Sequence, residues 1–341
     1  MPHNITHPLY LSPLLLMLAS CSSTEVVPVD IEDNSHQISI SVSAPDSYGF
    51  EALSRAGESH QIRLIAHLYS LNEDGSAATS PIPLSSQEVL HRDSETKLTF
   101  NIENTGEYCV TVFADYIPAD ATPTDNHYPD NYYDTSSPEK IRVKLNDATI
   151  ADFFNNDLRD CFVGKTVFTK GLNSCEKELR LTRPVSRISI SAPGDPVEDL
   201  IQSVQVAECS HLDSYEFAID DSTIVGTPAS TATNPLARAG AVTLVPVVKR
   251  LFYYYTFGSE AGATDEPALG AISFTLSPIN NIELENMDPR TVASGLVKPI
   301  ANYQMSINGG AGWITAKPGG DDITVNIQPI PAWNDTPGTI L

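Results

Sequence analysis

A two-residue alternation of apolar and polar side chains recurs along most of this 341-residue chain. The segment from Gln37 to Ser43 places Ile38, Ile40 and Val42 on one face and serines on the other. Alternation of this period is typical of β-strands with one buried face, whereas no long stretch shows the 3.6-residue period of an amphipathic helix. The chain is therefore predicted to be all-β, and its one short helical pattern lies between Asp147 and Asn155.

The strand patterns form two groups separated near Arg183, with Gly- and Pro-containing turns between strands. Many short strands with such turns are typical of β-sandwiches. We predict an N-terminal sandwich domain over residues 36–182 and a C-terminal one over residues 183–341. Pro184 indicates a sandwich edge for the strand that follows it, and Cys109 is expected on the more polar face of its strand. The predicted strands are Gln37 to Ser43, Gln61 to Leu71, Leu98 to Ile102, Gly106 to Tyr116, Ile141 to Leu145, Phe162 to Thr169, Glu178 to Leu181, Arg183 to Ser191, Val204 to Val206, Val242 to Val248, Leu251 to Phe257, Ile272 to Leu276, Tyr303 to Ile307 and Ile323 to Ile327.

The N-terminus carries an export pattern. The apolar run from Tyr10 to Ala19 is too short to cross a bilayer as a helix and has the length of a signal-peptide core. It ends in Leu18-Ala-Ser-Cys21, the lipobox pattern in which the chain is cut before a cysteine that receives lipid. We predict a signal peptide over residues 1–20, lipidation at Cys21 and a polar tether over residues 21–35. Such a protein is exported to the outer membrane of a Gram-negative envelope and anchored there by its acyl chains.

Charge restricts the partners of the chain. It contains 43 acidic and 20 basic residues, and its formal net charge is −23. A surface of this sign repels phosphate backbones and anionic headgroups, which disfavours nucleic acid as a partner and membrane docking by a basic patch. In an oxidising compartment, the cysteines after the lipobox allow up to two disulfides in three connectivities. These cysteines are Cys109, Cys161, Cys175 and Cys209.

Motifs of catalysis and metal binding are absent from the sequence. It contains no Gly-x-Ser-x-Gly, no His-Glu-x-x-His and no phosphate-binding loop, and its histidines lack metal-ligand spacing. The aspartates at 120, 125, 130 and 134 do not follow the spacing of a dedicated calcium loop and are interpreted as a solvated loop. The sequence therefore predicts a protein that is not an enzyme and holds no cofactor or metal.

Several short motifs, taken in order, resemble those of the fimbrillin-like lipoproteins, the subunits of type V pili. They are Ser54-Arg-Ala-Gly57, Gly106-x-Tyr-x-Val-x-Val112, Tyr132-Tyr-Asp134, Asp160-Cys-Phe-x-Gly164 and Leu181-Thr-Arg-Pro-Val-Ser-Arg187. The resemblance implies two tandem transthyretin-like Greek-key β-sandwich domains and transport to the cell surface as a lipoprotein. It also implies polymerisation after an Arg-specific protease removes the N-terminal strand, which opens a groove for a strand of a neighbouring subunit.

The residues needed for such a mechanism can be assigned in this chain. Removing the strand with Ile38, Ile40 and Val42 would leave an apolar groove with unpaired backbone groups, which another alternating strand could fill. The candidate donor is the C-terminal pattern Ile323, Val325 and Ile327. Arg55 lies among small and polar residues between the first two predicted strands, where proteases commonly cut. The expected partners are other fimbrial subunits or a second copy of the chain, with a host or bacterial surface ligand as a further candidate.

A second class of function stays open, that of a monomeric surface lipoprotein that binds glycans. Its candidate residues are the aromatic run from Phe252 to Tyr255 together with Trp313 and Trp333. Exposed aromatic rings can stack on sugars, whereas aromatic residues within strands more often pack in the core. The position of these rings therefore discriminates between the two functions.

Overall fold

The computed structural model describes residues 36–43, 59–77, 81–91, 95–145, 150–192, 201–229, 232–237, 240–247, 250–264, 266–279, 288–309 and 324–329. Strands dominate these residues, which confirms the all-β prediction. In place of the short helix predicted over 147–155, the structure has a 3-10 turn at Ile150–Phe153, followed by a second at Asp157–Arg159. Within the described ranges, no helix has the length and apolar character needed to span a membrane.

We call residues 36–182 the N-terminal half. It contains a three-stranded sheet in the order β4-β1-β9 and a four-stranded sheet in the order β3-β2-β5-β8. The strands of this half are β1 Gln37–Ser43, β2 His60–Ser70, β3 Ser85–His91, β4 Glu95–Asn101, β5 Gly106–Pro118, β6 Tyr133–Ser137, β7 Lys140–Val143, β8 Phe162–Lys170 and β9 Cys175–Arg180.

We call residues from 183 onward the C-terminal half. Its two main sheets have the orders β17-β10-β20-β21 and β16-β11-β18-β19, and β12 pairs with β15 beside them. The strands of this half are β10 Val185–Ser191, β11 Ile201–Glu208, β12 His211–Leu212, β13 Ser214–Phe217, β14 Gly226–Pro228, β15 Ala232–Thr233, β16 Val242–Leu244, β17 Phe252–Phe257, β18 Ile272–Pro278, β19 Arg290–Val292, β20 Tyr303–Asn308 and β21 Thr324–Pro329.

The two halves repeat one strand arrangement. In each half the first strand lies between an antiparallel and a parallel neighbour: β1 between β4 and β9, and β10 between β17 and β20. The second strand is likewise central in its sheet, β2 between β3 and β5, and β11 between β16 and β18. The C-terminal half adds β21, which pairs antiparallel with β20 and has no counterpart beside β9 among the described strands.

The two sheets of the N-terminal half enclose a common apolar core, which makes this half a β-sandwich. Ile38, Ile40 and Val42 of β1 point into this core together with Leu64 of β2 and Val110 of β5. All five side chains are buried because the two-residue period directs alternate residues of each strand to one side of its sheet. The alternation seen in the sequence therefore identified the inward face correctly.

A small sheet joins the two halves. β7 pairs antiparallel with β13, and together with β6 and β14 they form the order β14-β13-β7-β6. A second apolar core extends from Ile65 on β2 to Ile307 on β20. All described strands belong to one compact unit, residues 34–341. The division into domains at residues 182 and 183 and the Greek-key, transthyretin-like connectivity stay predictions.

Two expectations about strand environment were wrong. Cys109 is fully buried because the second face of β5 packs in the second core, beside residues such as Phe113 and Tyr133, and is not the polar face of a one-sided sheet. The strand after Pro184 is central, not an edge. Pro184 precedes the ladder, so its missing N–H removes no hydrogen bond between strands. The polar edge strand β3, and β6 within the Pro- and Asp-rich segment, were not predicted.

Candidate functional site at the first strand

The first strand is held on both sides. Seven consecutive residues, Gln37 to Ser43, pair with Asn101 to Glu95 of β4 in antiparallel register. On the other side Ile38 to Ser43 pair in parallel with Cys175 to Arg180 of β9. Taking β1 away would therefore leave two strands with unpaired N–H and C=O groups, separated by the width of one strand.

The apolar side of β1 fills the core completely. Ile38, Ile40 and Val42 are each 0% exposed, and they share this core with Phe100 of β4 and Leu179 of β9. Full burial of such side chains contributes about 1.5–3 kcal/mol each. A groove left by β1 would thus have both the backbone pattern and the apolar floor that an alternating strand requires. The removal of β1 and the groove that it would leave stay predictions.

The predicted cleavage and lipidation sites lie outside the described residues. Arg55 falls between β1, which ends at Ser43, and β2, which begins at His60, within the undescribed residues 44–58. Cys21 falls within residues 1–35, which are also outside the described ranges. Both assignments stay predictions.

The candidate donor forms the edge strand β21. Val325 and Ile327 pair with Ile307 and Met305 of β20, so they lie on the core side of the sheet. Val325 is only partly buried and Ile327 is 48% exposed, although their partners are buried. Ile323 lies just before the described part of this strand. The described donor strand is therefore held on one side only and leaves much of its apolar surface uncovered.

The aromatic run offered for sugar stacking is part of the core. Phe252, Tyr253, Tyr254 and Tyr255 are all buried, with exposed fractions of 0–7%. Burial raises the pKa of Tyr254 and Tyr255 well above the ordinary value. Because all four rings are enclosed, this run gives no exposed platform for a sugar. Trp313 and Trp333 lie outside the described residues.

Two of the four aspartates that the sequence placed in a solvated loop, Asp130 and Asp134, have defined hydrogen-bond partners, and Asp134 belongs to strand β6. Asp130 accepts hydrogen bonds from Thr135 N at 2.9 Å and from Arg63 Nη2 at 3.0 Å. Asp134 accepts from Ser136 N at 3.0 Å, and bonds from Ser136 lower the pKa of Asp134. Among the described residues, no group of three or more His, Cys, Asp or Glu side chains is arranged to hold a metal ion.

A buried ion pair that sequence reasoning missed lies at the end of the same sandwich. Arg63 of β2 donates to both carboxylate oxygens of Asp115 on β5, at 2.9 and 2.8 Å. Burial alone would lower the pKa of Arg63, but the carboxylates of Asp115, Asp130 and Glu88 raise it above its ordinary value. The sequence did contain a signal for this ion pair, because Arg63 and Asp115 are oppositely charged residues that each lie within a mostly apolar strand pattern.

The cysteines after the lipobox are free thiols. Cys109, Cys161 and Cys209 are buried and Cys175 is partly exposed on β9. Burial raises the pKa of the Cys109 thiol to about 12, which keeps it protonated and unreactive. None of the disulfide connectivities left open by the sequence is formed in this structure.

The structure is similar to solved structures of fimbrial proteins. The chain is similar in structure to a fimbrial assembly protein from Parabacteroides distasonis, with 14% identity, 87% of this chain and 96% of that chain covered, and a TM-score of 0.43. It is also similar to the fimbrial anchor protein of Porphyromonas gingivalis, with 12% identity, 85% and 97% covered, and a TM-score of 0.41. No curated protein matches the sequence.

One family model matches residues 30–225, which is more than half of the chain. The matched range starts just before β1 and runs through the N-terminal half as far as β13, so it contains β1 with its neighbours β4 and β9, whereas Cys21 and β21 lie outside it. The chain therefore belongs to DUF6562, a family of unknown function.

Proposed function

We propose that this protein is a structural or accessory subunit of a surface fimbria, and that subunits join when a strand of one replaces β1 of the next. The observation that carries the proposal is the position of β1. It is the first described strand, it is central in its sheet, and the undescribed segment that follows it contains Arg55. Among the described strands, a cut at Arg55 would separate only β1 from the rest of the chain.

Anchoring is the second part of the proposal. Lipid on Cys21 would hold the precursor at the outer membrane, with the compact unit facing the outside of the cell. A cut at Arg55 would release the subunit from that anchor and free β1 for exchange in one step. Uncleaved chains would stay attached, as an anchoring subunit requires.

The energetics favour replacement of β1 over an empty groove. A groove without β1 would expose the ladder groups of β4 and β9 and an apolar floor that β1 now covers. The edge strand β21 has the same alternation, and its Ile327 is already half exposed. If β21 of one copy entered the groove of another, its apolar side chains would be buried against the groove floor, and its backbone would pair with β4 on one side and β9 on the other. Partners of this kind are other fimbrial subunits or a second copy of this chain.

Limited digestion with an Arg-specific protease tests the cleavage step. We expect a product whose N-terminal residue is Ala56, and we expect Arg55→Gln to lack it. Arg238 has nearly the same local sequence, Leu-Ala-Arg-Ala-Gly, and Arg238→Gln serves as the matched control that should still give the product. Cleavage should be followed by assembly, measured by light scattering at high concentration. Deleting residues 322–341 should prevent assembly while the N-terminal sandwich remains folded.

A reversible lock on β1 tests strand replacement itself. Ile38 is the parallel partner of Cys175, so Ile38→Cys places two thiols on adjacent strands. We expect the oxidised variant to be cut at Arg55 without assembling, and a reductant to restore assembly. The fimbrial mechanism is wrong if the locked and reduced forms assemble equally, or if cleaved protein with an intact C-terminus stays monomeric.

Lipidation is tested separately. Cys21→Ala should leave the precursor uncut at this site and unlabelled by a radioactive fatty acid, because the lipobox thiol is the acceptor. Labelling of the mutant would exclude Cys21 as the anchor.

A further inference from the structure

The outer face of the β4-β1-β9 sheet carries a trough along β1. It has a volume of about 420 Å3 and opens to solvent. The trough arises because β1 contributes small serines between strands with long charged side chains. We call it the outer trough, and its lining residues are Ser39, Ser41, Lys97, Glu176, Lys177 and Glu178.

A cation and an anion flank one position of β1. Ser41 pairs with Lys97 of β4 on one side and with Glu178 of β9 on the other. Lys97 Nζ also reaches diagonally to Glu176 Oε1, at 3.7 Å. The Lys97 and Glu176 side chains are 56% and 82% exposed, so this ion pair contributes little and can open at low cost.

The serines of β1 do not fill the outer trough. Ser39 is only 4% exposed, and its hydroxyl has no hydrogen-bond partner among the described residues. Ser41 offers a single hydroxyl to a space flanked by an ammonium and a carboxylate. A longer polar side chain at these positions would therefore find both volume and hydrogen-bonding groups.

We infer that the outer trough recognises a carboxamide side chain on the strand that replaces β1, and that Asn326 of a second copy supplies it. This inference rests on the proposed strand replacement. When Val325 and Ile327 take the inward positions of Ile40 and Val42, the residue between them takes the outward position of Ser41. That residue is Asn326, which is exposed on β21.

The chemistry of a carboxamide matches the two walls. Its oxygen accepts a hydrogen bond from the Lys97 ammonium, and its nitrogen donates to the Glu178 carboxylate. A carboxylate at the same position would face Glu178 with like charge, and an apolar side chain would form no hydrogen bond with either Lys97 or Glu178. The trough therefore selects for the polar side of the incoming strand, whereas the core selects for its apolar side.

A labelled peptide with the sequence of residues 321–331 tests the inference. It is added to the full chain cleaved at Arg55, and its incorporation is followed by fluorescence anisotropy and by release of the fragment that ends at Arg55. We expect the unchanged peptide to bind. Peptides with Asn326→Leu or Asn326→Asp should bind about tenfold more weakly, as expected for the loss of one or two hydrogen bonds to charged groups.

A compensating change in the protein tests whether the Asn326 variants bind weakly because they lose contacts in the outer trough or because the peptide forms a poorer strand. Glu178→Gln in the protein supplies an amide donor, so it should restore binding of the Asn326→Asp peptide and not of the Asn326→Leu peptide. Glu103→Gln, a change at an exposed acid outside the trough, is the matched control and should restore neither.

The outcomes distinguish the two proposals. If the unchanged peptide does not enter the cleaved protein, strand replacement by β21 is wrong and the inference falls with it. If the unchanged peptide enters but both Asn326 variants bind equally well, or Glu178→Gln restores nothing, the outer trough has no part in recognition and the fimbrial proposal stands without it.

Discussion

The two halves of the molecule begin with strands of nearly the same sequence, but the outer faces of these strands differ in their exposure to solvent. Ile38-Ser-Ile-Ser41 of β1 and Ile188-Ser-Ile-Ser191 of β10 both lie between an antiparallel and a parallel neighbour. The outer face of β1 is the open polar trough. The outward serines Ser39 and Ser189 are both buried, but their neighbours differ. Tyr253, the partner of Ser189, is only 7% exposed and closes the outer face of β10, whereas the Glu176 side chain beside Ser39 is 82% exposed.

The closed face of the C-terminal half is held by a segment of the N-terminal half. The backbone N–H of Tyr253 donates to Asn155 Oδ1 at 3.0 Å, and the Tyr255 hydroxyl donates to Asp157 Oδ1 at 3.1 Å. No such clamp covers β1 in the described part of the chain. Among the described residues, β10 is therefore held by a segment of the other half as well as by its sheet and core, whereas β1 is held by its sheet and core.

The largest expected effect concerns charge burial within the N-terminal half. Arg63→Met leaves Asp115 in the interior without its bidentate partner, and removal of one member of a buried pair costs about 3–5 kcal/mol. The matched control is Lys140→Met, which removes an exposed pair with Glu216 between the halves and should cost less than about 1 kcal/mol. Urea unfolding measures both, and equal losses would contradict the difference in burial.

Matched truncations in β1 and β10 test whether the two strands differ in function. Ile40→Ala and Ile188→Ala each remove a fully buried side chain and should each cost about 2–5 kcal/mol in the intact protein. Once β1 has been replaced by an incoming strand, only Ile188→Ala should still destabilise the subunit. An Ile40→Ala penalty that persisted after replacement would show that β1 never left.

An acid-sensitive side chain lies in the N-terminal half. Burial lowers the pKa of His67 on β2 to about 4, from an ordinary value of 6.5. The unfolded chain therefore binds the proton more tightly, and stability should fall as the pH drops from 6.5 towards 4. We expect a loss of about 1–2 kcal/mol at pH 5 relative to pH 7 that disappears in His67→Gln. Denaturant unfolding at both pH values measures this loss of stability. If His67→Gln lost as much stability between pH 7 and pH 5 as the unchanged protein, His67 would not be its cause.

The smallest effect should come from the strand that the C-terminal half adds. Ile327 is 48% exposed on β21, so Ile327→Ala should cost about 1 kcal/mol or less. Ile307→Ala, at a fully buried position of the adjacent strand β20, should cost about 2–5 kcal/mol. A loss at Ile327 as large as that at Ile307 would mean that β21 is an integral part of the core.

Strand positions were predictable from the sequence where one face alternates strictly. β1 was predicted with its observed limits, Gln37–Ser43, and its inward residues were identified because period two fixes the face. Burial on the second face was not predictable, since alternation reports one face only and the cover over Cys109 comes from distant residues. β3, with its Ser-Ser-Gln-Glu start, escaped notice because a polar edge strand lacks the alternation.

The candidate site was predictable only in part. The buried apolar face of β1 was predictable from its alternation, but the sequence could not show that Lys97 and Glu178 lie on opposite sides of Ser41. That juxtaposition depends on a register between segments more than 50 residues apart. The Arg63–Asp115 pair joins residues 52 positions apart and was hidden for the same reason.

The central position of β1 also determines how the molecule would bear mechanical load. A pull on the chain at residue 36, directed along the strand, loads the rungs to β4 and β9 together in shear, so they must fail as a group. Among the described strands β21 is bonded on one side, to β20, and a pull across its other edge would open its rungs one after another. A strand seated between β4 and β9 is thus in the mechanically strong position, and a filament whose subunits were joined there would resist tension along its axis.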